Sequence, residues 1–126
     1  MIIKILENYI FGFALGAILE FVYRSVNARK FVMPDLVSIQ IYAISTAFIY
    51  LLTLFNLNIA VLIFILAMLT SGLEFLIGYV YLKYKKVMLW DYSREVMNYK
   101  GLVCLKFSVL WVLLSLIYYY FIIPIF

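Results

Sequence analysis

The chain has 126 residues, of which 69% are hydrophobic and only 13% charged, with a net charge of +4. Soluble domains have about a quarter charged residues, so the composition excludes a soluble protein and predicts an integral membrane protein. The chain has no histidine and a single cysteine, Cys104. An intramolecular disulfide, the usual zinc sites and histidine-based catalytic triads are therefore excluded, and we expect no metal and no cofactor.

Four apolar runs predict an all-α integral membrane fold with four transmembrane helices arranged as two hairpins. A run of about 20 residues is long enough to cross a hydrocarbon layer of about 30 Å. The connections are too short to hold a second core, which predicts a single transmembrane domain over residues 1–126. The predicted spans cover residues 5–23, 36–55, 59–82 and 102–121.

Two polar connections follow the first and third spans. The first, residues 25–35, contains the helix breaker Pro34 and predicts a loop or interfacial turn. The second covers residues 89–100. If it is helical, tyrosine and valine side chains fall on one side and charged or amide side chains on the other, which predicts a short interfacial helix after the third span.

Basic residues predict the orientation in the membrane. Eight lysines and arginines lie in or beside the two polar connections, whereas the opposite side has only Lys4. By the positive-inside rule, both basic loops are cytoplasmic and both termini are outside. The basic loop residues are Arg24, Arg29, Lys30, Lys83, Lys85, Lys86, Arg94 and Lys100.

The two halves of the chain share a short pattern. Leu19-Glu20-Phe21 in the first span matches Leu73-Glu74-Phe75 in the third, and each glutamate precedes a basic residue by nine positions. The pattern predicts a parallel 2+2 repeat, in which both glutamates lie at a similar depth. A chance match between three residues, two of them of common apolar types, is the alternative.

The glutamates inside apolar runs are the sharpest functional signal. An ionised carboxylate in the bilayer costs at least about 2.5 kcal/mol, so it is normally paired, protonated or next to water. Arg24, one turn after Glu20, is its expected partner, whereas Glu74 requires Thr70, Ser71 or another helix. Arg24 and Lys106 are candidates for Glu74, and hydroxyls along the second span, including Tyr42, can bond to charged neighbours. The predicted buried polar site is Glu20, Arg24, Glu74, Thr70 and Ser71. The alternative is a buried polar network that only holds the four helices together.

Small residues at helical spacing predict close helix packing. Gly12 and Gly16 form one stripe with Glu20 and Arg24, and Thr70, Glu74 and Gly78 are again four apart. A small polar seam follows in the fourth span. The residues assigned to packing are Gly12, Gly16, Gly78, Gly101, Ser108 and Trp111.

The second half resembles a known bacterial membrane family through residues spread from Glu74 to Trp111. These are Glu74, Gly78, Trp90-Asp91-Tyr92-Ser93, Asn98, Gly101, Cys104, Ser108 and Trp111. The family is the one described as "putative ABC-transporter type IV", or CmpB-like permeases. The first half is similar through Gly16, Glu20, Tyr23, Arg24, Phe31, Pro34 and Ile41-Tyr42.

The resemblance implies a multi-pass protein of the bacterial plasma membrane. The chain departs from the family pattern at Ile39-Gln40-Ile41-Tyr42-Ala43, where the family has a Pro-Ile-Tyr-Gly segment, and at Leu102, where it usually has arginine. The resemblance carries no catalytic residues.

Three functions remain open at this stage. The first is a transport component whose polar site includes Glu20, Arg24 and Glu74. It would need a separate ATPase, since the chain lacks a Gly-x-x-x-x-Gly-Lys-Ser/Thr loop. The second is a non-transporting scaffold or regulatory subunit, bound to a partner membrane protein or to further copies of itself. Membrane lipids are expected partners and nucleic acid is not, because the basic residues flank membrane spans.

The third hypothesis is a lipid-headgroup enzyme at the cytoplasmic interface. In this hypothesis Asp91 is a base and Arg94 a phosphate clamp. The alternative is that Asp91 or Ser93 caps a helix. The interfacial motif consists of Trp90, Asp91, Tyr92, Ser93 and Arg94.

Overall fold

The computed structural model describes all residues, Met1–Phe126, and the protein is mostly helical. Two short strands lie between the third and fourth α-helices, where they pair antiparallel with Asn98 opposite Cys104. After the last α-helix the chain continues as a π-helical turn, Tyr118–Ile122, and a 3-10 turn, Ile123–Ile125. The elements are α1 (Ile2–Ala28), α2 (Leu36–Leu52), α3 (Ile59–Lys85), β1 (Asn98–Tyr99), β2 (Val103–Cys104) and α4 (Leu105–Ile117).

Three helical segments are long and apolar enough to cross a membrane. They are Ile2–Ala28, Ile59–Lys85 and Leu105–Ile125. The helix α2 is also apolar but has only 17 residues. These segments make the chain a multi-pass membrane protein, as the composition predicts.

The chain divides into two compact units, Met1–Leu54 and Phe55–Phe126. In the first unit, α1 and α2 form a helical hairpin. Asp35 begins α2 by accepting a hydrogen bond from the Val37 backbone N–H at 2.7 Å. This is the usual N-cap arrangement, in which a side-chain oxygen satisfies a free donor of the first helical turn.

Close contact between α1 and α2 depends on glycine. A Cβ atom at Gly12 would overlap the Thr46 hydroxyl, and one at Gly16 would lie 2.7 Å from the Tyr42 side chain. The Thr46 hydroxyl also donates to the backbone carbonyl of Asn8 at 2.8 Å. The absence of side chains at these two glycines therefore lets a threonine and a tyrosine of α2 reach the backbone of α1.

In the second unit, Asn58 begins α3 by accepting a hydrogen bond from the Val61 N–H at 3.0 Å. The helix ends at Lys85, and Lys86 adopts a left-handed conformation with φ 63°. Lys83 and Lys85 lie in the last turn, where a positive charge interacts favourably with the helix dipole. The helix α3 packs against α4 and against β2.

The prediction of an interfacial helix over residues 89–100 is wrong. This segment consists of turns and the β1 strand. Met97 and Lys100 both have φ 55° and Gly101 has φ 70°, values that a right-handed helix does not allow. The side chain of Asn98 bonds to the backbone instead, donating to the Glu95 carbonyl and accepting from the Gly101 N–H. Such local bonds compete with helix formation, and side-chain periodicity does not reveal them.

The predicted spans also differ from the helices at their ends. The first and third helices are longer than the predicted spans, Ile2–Ala28 against 5–23 and Ile59–Lys85 against 59–82. The fourth begins at Leu105 rather than at residue 102, because Val103 and Cys104 belong to β2. Hydropathy therefore locates these helices without fixing where the backbone leaves the helical conformation.

Candidate polar site

Glu74 is the most buried carboxylate and the centre of the candidate site in the second unit. Only 2% of the Glu74 surface is exposed. Carboxylate oxygen Oε2 accepts a hydrogen bond from the Tyr92 hydroxyl at 3.0 Å and another from the indole N–H of Trp111 at 2.9 Å. The carboxylate thus joins three elements: α3, the connection after it and α4. Both donors are neutral aromatic side chains.

Stacked rings hold the Tyr92 hydroxyl towards the carboxylate. The Tyr92 ring stacks on Phe107 with a centroid distance of 4.8 Å, and on Trp90 with a distance of 6.4 Å. The Trp90 indole donates in turn to the Leu102 carbonyl at 2.8 Å. A Cβ atom at Gly78 would lie 3.0 Å from the Trp90 ring, so glycine makes room for the indole against α3.

Backbone hydrogen bonds fix the turn that carries these aromatic residues. The Tyr92 N–H donates to the Gly101 carbonyl at 2.8 Å, and the Asp91 side chain accepts from the Ser93 N–H at 2.9 Å. Hydrogen bonds from the Ser93 side chain and backbone lower the pKa of the exposed Asp91 carboxyl below its ordinary value. By accepting from Ser93, the Asp91 carboxylate organises a tight turn.

The other hydroxyls assigned to this site bond elsewhere. The Thr70 hydroxyl donates to the Leu66 carbonyl of its own helix at 2.8 Å, and Ser71 donates to Ser108 at 2.9 Å. The Ser71 to Ser108 bond links α3 to α4 one turn away from the Glu74 to Trp111 bond. Polar groups thus join these two helices at two successive levels.

The cations considered for Glu74 have other contacts. The Lys106 ammonium group lies 5.3 Å from the centroid of the Phe107 ring. The Nε of Arg24 binds Glu20, as the spacing of four predicts, at 2.9 Å. Trp111 belongs to α4, so one donor to Glu74 comes from another helix, as the sequence analysis allows. The second donor, Tyr92, comes from the connection after α3.

Glu20 is the corresponding carboxylate of the first unit, and its surroundings differ. Its Oε2 accepts from Arg24, and its Oε1 accepts from the Tyr42 hydroxyl of α2 at 3.0 Å. The Glu20 and Arg24 side chains are 16% and 25% exposed. The two Leu-Glu-Phe patterns therefore place their glutamates among different partners. Glu20 forms an ion pair with Arg24, whereas Glu74 accepts hydrogen bonds from a tyrosine and a tryptophan.

Sequence reasoning identifies some of these partners and misses others. The hydroxyl of Tyr42 is among those expected to bond to charged neighbours, and the Glu20 contact confirms this. Tyr92 and Trp111 appear only as interfacial and packing residues, although a phenol and an indole are hydrogen-bond donors. Asn8 is missed: it is fully buried in α1, and its side-chain amide donates to the Lys4 carbonyl at 2.8 Å.

Comparison with known families agrees with the resemblance in the sequence. The family described as "Putative ABC-transporter type IV" matches residues 8–126. The chain belongs to this family. No curated protein and no solved structure matches it. The match to the type IV family covers Glu20 and Glu74 together with Arg24, Tyr42, Tyr92 and Trp111, so both carboxylates lie within the family domain.

Proposed function

We propose that this chain is the membrane-embedded component of a transporter, and that ATP hydrolysis is supplied by a separate subunit. Membership of the "Putative ABC-transporter type IV" family supports a transport role. The chain itself has no phosphate-binding loop of the Gly-x-x-x-x-Gly-Lys-Ser/Thr type. Further copies of the chain or another membrane protein can complete the assembly.

The observation that carries the proposal is the buried Glu74 carboxylate, bonded to Tyr92 and Trp111. A carboxylate within a membrane helix is costly, and such residues commonly belong to substrate or ion pathways. We propose that Glu74, with Thr70 and Ser71 on the same helix, forms a polar site of the second unit. Glu20 and its partner Arg24 form a polar site of the first unit.

The proposed topology places both basic connections in the cytoplasm and both termini outside the bacterial plasma membrane. This topology requires α2 to cross the membrane in addition to α1, α3 and α4. Only then do the two basic connections lie on the same side of the membrane. At about 1.5 Å per residue its 17 residues extend about 25 Å, a little short of a typical hydrocarbon layer. A cysteine replacing Lys30, in a Cys104→Ser background, is expected to react with an impermeant thiol reagent only after the membrane is opened.

The function is tested by purifying the protein from its native membrane in mild detergent and identifying what accompanies it. We expect an ATPase subunit. In the purified complex, Glu20→Gln and Glu74→Gln are each expected to change the rate of ATP hydrolysis by about tenfold, which corresponds to about 1.4 kcal/mol. Glu7→Gln is the matched control, because Glu7 is an exposed partner of Lys4 in the same helix as Glu20.

Two outcomes would contradict the proposal. One is purification of the protein alone or with a biosynthetic enzyme. The other is an ATPase complex in which both substitutions behave like Glu7→Gln. Purification with copies of itself alone would favour the scaffold hypothesis.

The structure offers less support for the two alternative functions. The glycines Gly12, Gly16 and Gly78 pack against side chains of their own unit, so they are not open for a partner helix. Asp91 accepts from the Ser93 backbone and organises a turn, which matches a structural role better than that of a base. An Asp91→Asn variant with full cellular activity would remove the enzyme hypothesis.

A further inference from the structure

The last turn of α3 and the connection to α4 together expose an excess of positive charge. Five basic side chains are exposed between residues 83 and 100, whereas Asp91 and Glu95 are the acidic ones. Asp91 accepts from the Ser93 backbone N–H and interacts electrostatically with Arg94, and the five basic and two acidic side chains together leave a net charge of +3. The exposed basic residues are Lys83, Lys85, Lys86, Arg94 and Lys100.

Apolar side chains are exposed between these basic residues. Val96 is 82% exposed, Met97 71% and Tyr99 58%. The turn that presents them is held by three hydrogen bonds of the Asn98 side chain, which donates to the Ser93 and Glu95 carbonyls and accepts from the Gly101 N–H. Their exposure therefore follows from the folded conformation of the turn. Apolar side chains in water are unfavourable, so an apolar neighbour is expected.

This surface lies at the end of a helix that is long enough to cross a membrane. Lys86 directly follows α3, whose apolar length exceeds what a bilayer requires. Headgroup phosphates carry negative charge and lie next to the apolar acyl chains. This arrangement complements the basic and apolar side chains that residues 83–100 expose side by side. A docked ATPase would offer negative charge to the basic residues. The apolar side chains next to the bilayer would then still face water.

We propose that residues 83–100 form a binding surface for anionic phospholipids. The basic side chains contact the lipid phosphates, while Val96, Met97 and Tyr99 enter the interface between headgroups and acyl chains. The donors to Glu74 are Tyr92 and Trp111, which are not among these side chains, and the proposal does not depend on the proposed transport role. Lipid binding here would favour anionic over zwitterionic lipid of the same acyl chain.

The test compares two charge-matched triple variants of the full chain by native mass spectrometry from detergent. The protein is equilibrated with equal amounts of phosphatidylglycerol and phosphatidylcholine. Lys85→Gln, Lys86→Gln and Lys100→Gln together are expected to lower the retained phosphatidylglycerol by tenfold or more, since each basic residue contributes to attraction for anionic lipid. The control variant carries Lys4→Gln, Arg29→Gln and Lys30→Gln, and is expected to keep most of the preference.

A second measurement tests insertion without removing any charge. A spin label at a cysteine replacing Val96, in a Cys104→Ser background, is expected to be protected from a water-soluble relaxation agent in phosphatidylglycerol vesicles. Equal loss of lipid in the two triple variants would overturn the proposal, as would a label fully accessible to water. Displacement of the lipid by glycerol phosphate alone would show that the surface binds free phosphate and not lipid.

Discussion

The indole nitrogen of Trp111 lies 2.9 Å from Oε2 of Glu74, a residue 37 positions earlier in the chain. Trp111→Phe removes this donor and keeps an aromatic ring. We expect the free energy of unfolding to fall by about 1–3 kcal/mol, because a buried carboxylate loses a hydrogen bond. Unfolding by SDS titration in mixed micelles measures the change. Tyr84→Phe, which removes an exposed hydroxyl, is the control and is expected to change stability by less than about 0.5 kcal/mol.

Tyr92 and Trp111 donate to the same oxygen, so their contributions are expected to be coupled. Tyr92→Phe alone leaves the ring stack on Phe107 and removes only the hydroxyl. In a double-mutant cycle, the effect of both substitutions together is expected to differ from the sum of the single effects by about 0.5–3 kcal/mol. Strict additivity in the SDS titration would show that the two donors act independently.

Gly12 and Gly72 provide a matched pair for testing helix packing. Gly12→Ala is expected to destabilise the protein by about 1–3 kcal/mol, since the new methyl group would lie 2.8 Å from the Thr46 Cβ and overlap its hydroxyl. Gly72 has no atom within 4 Å of a Cβ position. Gly72→Ala is therefore expected to stabilise α3 by up to about 1 kcal/mol through helix propensity. Equal melting temperatures for the two variants would contradict this packing.

The Asp91 turn is expected to depend on pH. Hydrogen bonds from Ser93 lower the pKa of Asp91 in the folded protein below the ordinary value of 3.8. The turn is therefore fully stabilised by this carboxylate above about pH 3.8 and loses that contribution as pH falls through the lower, folded pKa. An NMR titration following the Ser93 amide measures this. Asp91→Asn keeps an acceptor oxygen and should abolish the acid-induced shift, and a shift that persists would assign it to another group.

Left-handed residues in the same turn predict effects of opposite sign. Gly101 has φ 70°, and a Cβ there would lie 3.0 Å from the Asp91 carboxylate, so Gly101→Ala is expected to cost about 1–2 kcal/mol. Met97, with φ 55°, is a non-glycine residue in a similar conformation. Met97→Gly is expected to be neutral or to stabilise the turn, and amide exchange of residues 92–104 measures both variants. Faster exchange in Met97→Gly than in Gly101→Ala would contradict the assignment of strain.

The fold could be predicted from the sequence where its cause is local. Apolar length places the helices, and a spacing of four predicts the contact between Glu20 and Arg24. The donors to Glu74 could not be found this way, because Tyr92 and Trp111 lie 18 and 37 positions away. Tyr92 reaches Glu74 through a turn for which periodicity predicts a helix, and Trp111 reaches it through the packing of α4 against α3. Periodicity reports which side chains share a face, whereas this turn is determined by side-chain bonds to its own backbone.

The ring of Trp90 against Gly78 has a practical consequence for work on this protein. The connection after α3 is polar in sequence and reaches the surface at Val96, which makes it an obvious place for an epitope tag or a protease site. The Trp90 ring nevertheless packs against Gly78 of α3, and its indole N–H donates to the Leu102 carbonyl. An insertion between residues 88 and 104 would shift these contacts and thereby the hydrogen bond from Tyr92 to Glu74. A loss of activity in such a tagged protein would therefore not show that the tagged position itself is functional.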